Sequence, residues 1–248
     1  MIGLAHPMRL ANTYPEPRAD AACAGWWVAE DYDSGTGNWL DRVAGILGNQ
    51  STAGKRPTTT TIQGTTWVRF DGTDDDIYID GITAGGLFVT LPASVVMLIV
   101  TRTPSANSHL WSAGDSTDAD NTRQLRWNNT AGGTLRTVWS DRAAAVTAYD
   151  HSLADQQNFH TVALVDNLTT RSVYCDGVKF ASDPRANSIA LDALTKLTLG
   201  ANRRFGTEAD YGNFDLKEIS FHSRVFDSTD VRVFGAGMRA RAHLDPLG

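Results

Sequence analysis

Short runs in which apolar and polar residues alternate, separated by turn-forming residues, cover most of this 248-residue chain. Alternation with a period of two gives a β-strand one apolar and one polar face, and many short strands joined by turns are typical of a sandwich or a barrel. The sequence therefore predicts an all-β domain. The candidate strands are residues 66–70, 76–79, 94–102, 109–112, 124–128, 135–139, 158–166, 172–175, 178–180, 196–199 and 213–224.

Two of these runs differ in their patterning. Residues 94–102 read SVVMLIVTR and are apolar almost throughout, which predicts a strand covered on both faces. Residues 158–166 read NFHTVALVD and alternate more cleanly. The predicted sheet system thus has an interior and an exterior.

The end of the chain has the pattern of a helix. In residues 226–244, FDSTDVRVFGAGMRARAHL, Asp227 or Ser228 is a candidate N-cap, and Asp230 is favourably placed in the first turn. Val231, Phe234 and Met238 recur at helical spacing. We expect one short C-terminal helix.

Composition excludes several partner classes. The chain has 22 basic and 28 acidic residues, a formal charge of −6 and no Lys/Arg run, which argues against nucleic acid or an anionic membrane as a partner. No linker divides the chain, so we predict an extended arm over residues 1–24, punctuated by Pro7, Pro15 and Pro17, and one domain over residues 25–248. Cys23 and Cys175 are too few for a disulfide framework or a tetrahedral zinc site. We interpret both as packed thiols, with a disulfide between them as the alternative.

Three consecutive aspartates, Asp74, Asp75 and Asp76, lead from the first predicted strand into the second, which begins at Asp76. Aspartate and glycine are common in turns because they accept local hydrogen bonds and tolerate positive φ angles. We therefore predict a hairpin turn here in preference to a metal or catalytic cluster.

Several motifs resemble the laminin-G-like, concanavalin A-like jelly roll. Tyr174, Asp176 and Gly177 match a strand followed by an Asp-Gly turn, and the segment LTLG at residues 197–200 matches a Leu-x-Leu-Gly strand end. Glu218, Ile219, Arg224 and Asp230 match the last strand and its capped helix, while Trp27, GTGNWLDRVAG and RFDGTDDDI resemble the opening strands of phage and bacterial surface versions. The resemblance covers about residues 25–242 and implies an antiparallel β-sandwich with a short C-terminal helix.

Catalysis is not expected from this sequence. Glucanases of the resembled fold use two glutamates and an aspartate alternating on one strand, and none of Glu16, Glu30, Glu208 and Glu218 has that spacing. The six histidines are scattered along the chain. An enzyme would require distant carboxylates, such as Asp115 and Glu208, to meet in one cleft.

Calcium is the cofactor candidate, because many laminin-G-like domains hold this ion with carboxylates of neighbouring loops. The candidate ligands are Asp115, Asp118 and Asp120 in one loop and Asp210 in another, where Asn202 and Glu208 are further donors. No loop reproduces a fixed calcium spacing, so solvated polar loops without an ion are the favoured interpretation.

Sugar binding would use aromatic faces and planar polar side chains. Trp127 and Trp139, with Arg126 and Arg136, occupy what we predict to be adjacent strands. The alternative is that both tryptophans pack in the core.

The resemblance and the N-terminal arm together lead to two functional hypotheses. The first is a non-enzymatic phage virion component, in the capsid or tail, which contacts other virion proteins through its arm, has an oligomeric or symmetric setting, and adheres to host glycans. The alternative is a calcium-assisted carbohydrate-binding module of a bacterial surface or secreted protein.

Overall fold

The computed structural model describes residues 14–80, 87, 92–101, 108–114, 122–128, 134–140, 146–152, 158–184, 196–204 and 207–245. At positions 80, 114, 122–128, 134–140, 146–152, 181, 183–184, 196, 203–204 and 207–209 it describes the backbone alone. The strands are β1 Cys23–Val28, β2 Tyr32–Asp33, β3 Asn38–Leu40, β4 Leu47–Asn49, β5 Thr58–Ile62, β6 Thr65–Asp71, β7 Ile77–Asp80, β8 Ala93–Thr101, β9 Ser108–Gly114, β10 Thr122–Asn128, β11 Thr134–Ser140, β12 Val146–Ser152, β13 Phe159–Asp166, β14 Thr170–Cys175, β15 Val178–Pro184, β16 Lys196–Leu199, β17 Asn202–Arg204, β18 Thr207–Ala209 and β19 Asn213–His222. Helix α1 covers Ser228–Arg241, and short 3₁₀ turns cover Pro17–Ala19, Ala29–Asp31 and Ala53–Lys55.

The strands form an antiparallel β-sandwich, as predicted. The eight-stranded sheet has the order β15-β14-β13-β8-β19-β6-β5, and β1 pairs with the second half of β19. The nine-stranded sheet has the order β12-β11-β10-β9-β16-β7-β4-β3-β2. Strands β17 and β18 form a separate hairpin.

The main core lies between the two sheets and is rich in aromatic side chains. Trp27, Trp39 and Trp111 are fully buried there. Phe70 and Phe214, which are register partners on β6 and β19, stack with ring centroids 4.6 Å apart. Burial of such large apolar side chains is the main stabilising contribution.

A second apolar cluster covers the opposite face of the eight-stranded sheet. Val96 and Leu98 of β8 face this side, where they join a cluster that includes Val231, Phe234 and Met238 of α1. Val95 and Met97, at the alternate positions of β8, belong to the main core. The helix therefore explains why this strand is apolar at nearly every position.

Helix α1 begins as the sequence predicts. The Asp227 carboxylate accepts a hydrogen bond from the Asp230 backbone N–H at 2.8 Å, and the Asp230 carboxylate accepts one from the Asp227 backbone N–H at 3.1 Å. This reciprocal capping box satisfies two backbone donors at the first turn. The described helices include none with the length and apolar character needed to cross a membrane.

The segment before residue 25 joins the sandwich. Strand β1 begins at Cys23, and the Asp20 carboxylate contacts both His222 Nδ1 and Arg224 Nε at 2.9 Å. The folded part thus begins within the stretch predicted as an arm, while residues 1–13 lie outside the described range. Cys23 and Cys175 are both buried free thiols, so the alternative of a disulfide between them is wrong.

The predicted hairpin at the three aspartates is also wrong. Strand β6 belongs to the eight-stranded sheet and pairs with β5 and β19, whereas β7 pairs with β4 and β16 in the other sheet. Residues 72–76 therefore connect one sheet to the other. The turn residues do act locally, since Asp71 Oδ1 accepts from the Thr73 N–H at 2.7 Å and Asp75 Oδ2 accepts from the Asp71 N–H at 2.9 Å.

Candidate functional site

A row of polar residues crosses the outer face of the nine-stranded sheet. Cross-strand pairing is continuous along it, because each member is the register partner of the next. Residues that are directly opposed on antiparallel strands share one face of a sheet. The row consists of Asn38 on β3, Asn49 on β4, Tyr78 on β7, Thr198 on β16 and Ser112 on β9.

Core packing fixes which side of the sheet the row occupies. Ile77 and Ile79 flank Tyr78, Leu197 and Leu199 flank Thr198, and all four are buried in the main core. Since successive side chains of a strand point to opposite faces, the polar residues between them lie on the outer face. A slip of one residue would expose the apolar set, so the register is strongly specified.

Asn38 and Asn49 form an amide pair on this face. Both side chains are half-buried, and Asn49 Nδ2 donates to Asn38 Oδ1 at 2.5 Å. Within the described part of the chain, the Asn38 amide NH₂ group and the Asn49 amide carbonyl make no hydrogen bond to protein. Two planar groups, one donor and one acceptor, are thus available to hydroxyl groups of a ligand.

The end of the row on β16 and β9 is more deeply buried than the amide pair. Ser112 is 2% exposed and donates through Oγ to the Ala201 carbonyl at 2.9 Å. Thr198 is 1% exposed, and its hydroxyl has no hydrogen-bond partner among the residues that the structure describes. An unsatisfied buried hydroxyl costs free energy, and a buried water molecule would relieve that cost.

An arginine joins two loops beside the Asn38–Asn49 end of the row. Arg56 donates from Nε to the Gln50 carbonyl at 3.0 Å and from Nη2 to the Ser51 carbonyl at 2.9 Å, and it also reaches the Gly35 carbonyl at 2.5 Å. In the same loop, hydrogen bonds from the Thr36 hydroxyl and the Gly35 N–H hold the pKa of Asp33 below its ordinary value. Asp33 is the register partner of Asn38, so its carboxylate extends the row at the sheet edge.

The predicted sugar-binding residues lie on two strands of the same sheet. Strands β10 and β11 are adjacent, and Arg126 is the direct register partner of Arg136. Positions 126 and 136 belong to the same alternation set as Gln124, the register partner of Ser112. Trp127 and Trp139 occupy the other set, and the side chains at all four positions lie outside the described part.

The predicted calcium ligands are described only at Asp210. Asp115, Asp118 and Asp120 lie outside the described residues. The Asp210 carbonyl accepts from the His109 N–H at 3.3 Å and lies 2.9 Å from His109 Nδ1, while its carboxylate contacts Asn202 Nδ2 at 3.5 Å. Calcium binding by these loops therefore stays a prediction.

All three glutamates whose side chains the structure describes are in ion pairs, and Glu16 pairs with Arg18 at the start of the described range. Glu218, fully buried, accepts from Trp26 Nε1 at 3.0 Å and from Arg241 Nη2 at 2.8 Å. Glu30 pairs with Lys217, whose side chain is 1% exposed. Glu30 thus neutralises the buried Lys217 ammonium, and Arg241 neutralises the buried Glu218 carboxylate. The distant pair that an enzyme would require, Asp115 and Glu208, lies outside the described side chains.

Sequence reasoning missed the amide pair of the polar row. Asn38 and Asn49 lie on strands of only three residues, too short for alternation to show. One signal could have found Asn38: the next residue, Trp39, is a large aromatic side chain typical of a core position, so Asn38 would face outward. Thr198 and Ser112 do lie on predicted strands, but their alignment with Asn49 depends on the order of strands within the sheet.

No family model and no curated protein sequence matches this chain. The structure is similar to the CBM40 domain of the Ruminococcus gnavus IT-sialidase bound to α2,3-sialyllactose, with a TM-score of 0.56, 20% identity and coverage of 68% of this chain and 96% of that one. It is also similar to the binding domain of Paraclostridial Mosquitocidal Protein 1, with a TM-score of 0.65, 12% identity and coverage of 89% and 53%. These similarities establish the fold.

A third similar structure is the NanB sialidase from Streptococcus pneumoniae, with a TM-score of 0.54, 17% identity and 66% coverage of this chain. This chain spans about a quarter of that protein, 26% of its length. The comparisons give no support to the phage or virion part of the first hypothesis.

Proposed function

We propose that this chain is a non-catalytic glycan-binding module whose ligand lies at the half-buried end of the polar row, on Asn38, Asn49 and Tyr78. The observation that carries the proposal is the row itself, headed by the Asn38–Asn49 amide pair. The proposal corresponds to the alternative hypothesis from the sequence, a carbohydrate-binding module.

The chemistry of the row suits a sugar. Carbohydrate hydroxyl groups both donate and accept hydrogen bonds, and amides and hydroxyls are matched to both roles. Asn38 and Asn49 offer a donor and an acceptor, and Tyr78 adds an aromatic ring between them and Thr198. Two Leu side chains at the next outward positions, Leu40 and Leu47, are 52% and 46% exposed and offer an apolar surface beside the amides.

The similar structures supply independent support. One is a sialidase CBM40 domain in complex with sialyllactose, and another is the binding domain of a mosquitocidal protein. At 20% identity or below, this likeness supports the choice of a binding module without naming its ligand.

The charges of the chain bear on whether the ligand is an acidic or a neutral sugar. The chain carries a net charge of −6, which disfavours anionic glycans at long range. Arg126 and Arg136 are two cationic residues whose backbones are register partners on β10 and β11. An acidic sugar would therefore depend on these arginines, and a neutral sugar would not.

The test is binding of the purified chain to an array of sialylated, desialylated and neutral bacterial glycans. We expect binding that weakens about tenfold or more in the double variant Asn38→Ala/Asn49→Ala, since two ligand hydrogen bonds are lost. Thr59→Ala/Thr61→Ala, on exposed positions of β5 in the other sheet, is the matched control and should bind as the parent does.

Two further measurements test whether the ligand is acidic and whether its binding needs calcium. Selective loss of acidic glycans in Arg126→Ala/Arg136→Ala would assign those arginines to a carboxylate. Loss of binding in EDTA and in Asp210→Asn would assign calcium to the second loop. Absence of binding to every glycan overturns the proposal, and full binding by the Asn38→Ala/Asn49→Ala variant overturns the site.

A further inference from the structure

One end of the eight-stranded sheet brings together a histidine, a thiol and a carboxylate. His160 is on β13, Cys175 is the last residue of β14, and Asp176 is the first residue of the β14–β15 turn. One potential ligand atom from each residue lies within 4.8 Å of the others. None of these residues belongs to the polar row.

Backbone geometry produces this arrangement. Cys175 is the register partner of Val162, and both are in the main core. His160, two positions before Val162, lies on the same face as the thiol. Asp176 has a φ of +50°, and its Oδ1 accepts from the Thr161 N–H at 2.9 Å, which turns the carboxylate back towards the histidine.

The distances are close to those of a tetrahedral zinc site. Cys175 Sγ is 3.5 Å from His160 Nδ1 and 3.6 Å from Asp176 Oδ2. Zinc–sulfur bonds of about 2.3 Å and zinc–nitrogen or zinc–oxygen bonds of about 2.0–2.1 Å, at tetrahedral angles, give sulfur–nitrogen and sulfur–oxygen separations of about 3.5–3.6 Å. The His160 Nδ1 to Asp176 Oδ2 distance is 2.8 Å, a hydrogen bond, and would open to about 3.4 Å when a metal replaces the shared proton.

The carboxylate is also oriented as a metal ligand is. Its Oδ2 faces His160 and Cys175, while Oδ1 is fixed by the Thr161 N–H and lies 3.9 Å from Arg239 Nη1. Outer hydrogen bonds of this kind hold ligating carboxylates in place. Asp176 is one-third exposed, at 33%, which leaves solvent access for a fourth ligand.

A nucleophilic role does not fit the same residues. Both the thiol and the carboxylate contact the same histidine nitrogen, Nδ1, whereas a Cys-His-Asp triad places them on opposite nitrogens of the imidazole. Cys175 is 3% exposed, and burial together with the Asp176 charge raises the pKa of its thiol. Metal binding, in contrast, displaces the thiol proton directly.

We propose that His160, Cys175 and Asp176 bind a Zn²⁺ ion, with water as the fourth ligand. The thiol releases its proton to solvent, and the proton on His160 Nδ1 is lost to solvent or moves to Nε2, so that a neutral imidazole protonated at Nε2, a thiolate and a carboxylate coordinate the ion. One dication and two anionic ligands give a neutral site, which lowers the free-energy cost of burying it. The number of cysteines alone argues against a zinc site. It does not take account of a histidine and a carboxylate that the fold places beside one thiol.

Titration of the chelator-treated full chain with Zn²⁺, followed by calorimetry, tests the site. We expect one ion per chain and a rise in Tm, since an ion that binds only the folded state stabilises it. With Co²⁺ as a probe, a thiolate-to-cobalt charge-transfer band reports the sulfur ligand. Cys23→Ser, at the other buried thiol, is the matched control and should keep both signals.

Two ligand variants decide the outcome. Cys175→Ser removes the sulfur, and Asp176→Asn keeps the acceptor for the Thr161 N–H in a residue that tolerates positive φ. Each should weaken Zn²⁺ binding at least tenfold, and Cys175→Ser should abolish the cobalt band. The proposal is overturned if the parent binds no Zn²⁺, or if either folded variant binds it as the parent does.

Discussion

The connection between the two sheets buries Asp75 among other acidic residues and changes the pKa of its carboxyl group. Asp75 is 5% exposed, and burial, with the neighbouring charges of Asp71, Asp74 and Asp76, raises its pKa to about 7. The hydrogen bond from the Asp71 N–H offsets only part of this effect. Near neutral pH the folded protein therefore retains a proton that the unfolded chain has released.

This shift predicts a loss of stability as pH rises. The contribution of protonated Asp75 to the free energy of unfolding is complete below about pH 4 and is lost as pH rises to about 7. Asp75→Asn keeps an acceptor for the Asp71 N–H and carries no charge. We expect it to be about 4 kcal/mol more stable relative to the parent at pH 8 than at pH 4, measured by urea unfolding.

A comparison of the two proteins is needed because another buried group acts in the opposite direction. Burial lowers the pKa of His222 to about 4, even beside Asp20, so this histidine destabilises the fold as pH falls from about 6.5 to 4. The difference between Asp75→Asn and the parent cancels that contribution. An equal pH dependence for both proteins would show that the pKa of Asp75 is the same in the folded and the unfolded state, which would contradict the shift.

At the scale of elements, the β14–β15 hairpin has a strict backbone requirement. Cys175 and Val178 are register partners, and the two turn residues Asp176 and Gly177 have φ angles of +50° and +79°. A two-residue turn of this form matches the twist of the strands and needs positive φ at both positions. A Cβ atom at residue 177 would also lie 2.5 Å from Arg232 Cγ of α1.

Gly177→Val should therefore lower the free energy of unfolding by about 1–3 kcal/mol, because a β-branched residue is strained at positive φ. Two other glycines separate the causes. Gly64 has a φ of +73° and open space around it, so Gly64→Val bears the backbone strain alone. Gly54 has open space and no positive φ, so Gly54→Val should be near neutral. Unchanged stability of Gly177→Val in chemical denaturation would contradict the turn.

The sequence predicted the elements that carry enough local signal. Strands β8, β13 and β19 are long enough for their apolar pattern to show, and the cap of α1 follows from Asp227 and Asp230 three positions apart. The order of strands is a property of the whole fold. The Asp-rich turn was therefore interpreted correctly as turn chemistry and wrongly as a hairpin, since local residues do not specify which sheet the next strand enters.

At the scale of the whole molecule, the candidate site depends on the strand order in the same way. The polar row takes one residue from each of five strands, and these positions are separated by up to 160 residues along the chain, from Asn38 to Thr198. Periodicity predicts which residues of a strand face outward, but not which strands are neighbours. A site built from register partners can therefore be identified only when the order of the strands in the sheet is known.

The molecule is a three-layer structure in which α1 is an integral layer. Phe234 is 4% exposed, and its ring stacks on Phe226 with centroids 5.0 Å apart and lies 5.0 Å from the His222 ring. The Arg241–Glu218 ion pair also fixes the helix to β19. We therefore expect the helix and the sandwich to unfold as one cooperative unit.

Phe234→Ala tests this expectation because it removes a ring shared by the helix and the eight-stranded sheet. Truncation of a buried phenylalanine should cost about 3–4 kcal/mol and lower the Tm of the whole domain by roughly 6–16 °C. Arg232→Ala, on an exposed position of the same helix, should leave the Tm nearly unchanged. If helix and strand signals of Phe234→Ala, followed by circular dichroism and tryptophan fluorescence, melt together at the lower temperature, the helix is part of the sandwich's folding unit. If only the helical signal moves while the tryptophan transition stays in place, α1 is an independent appendage and the second apolar cluster contributes little to the fold.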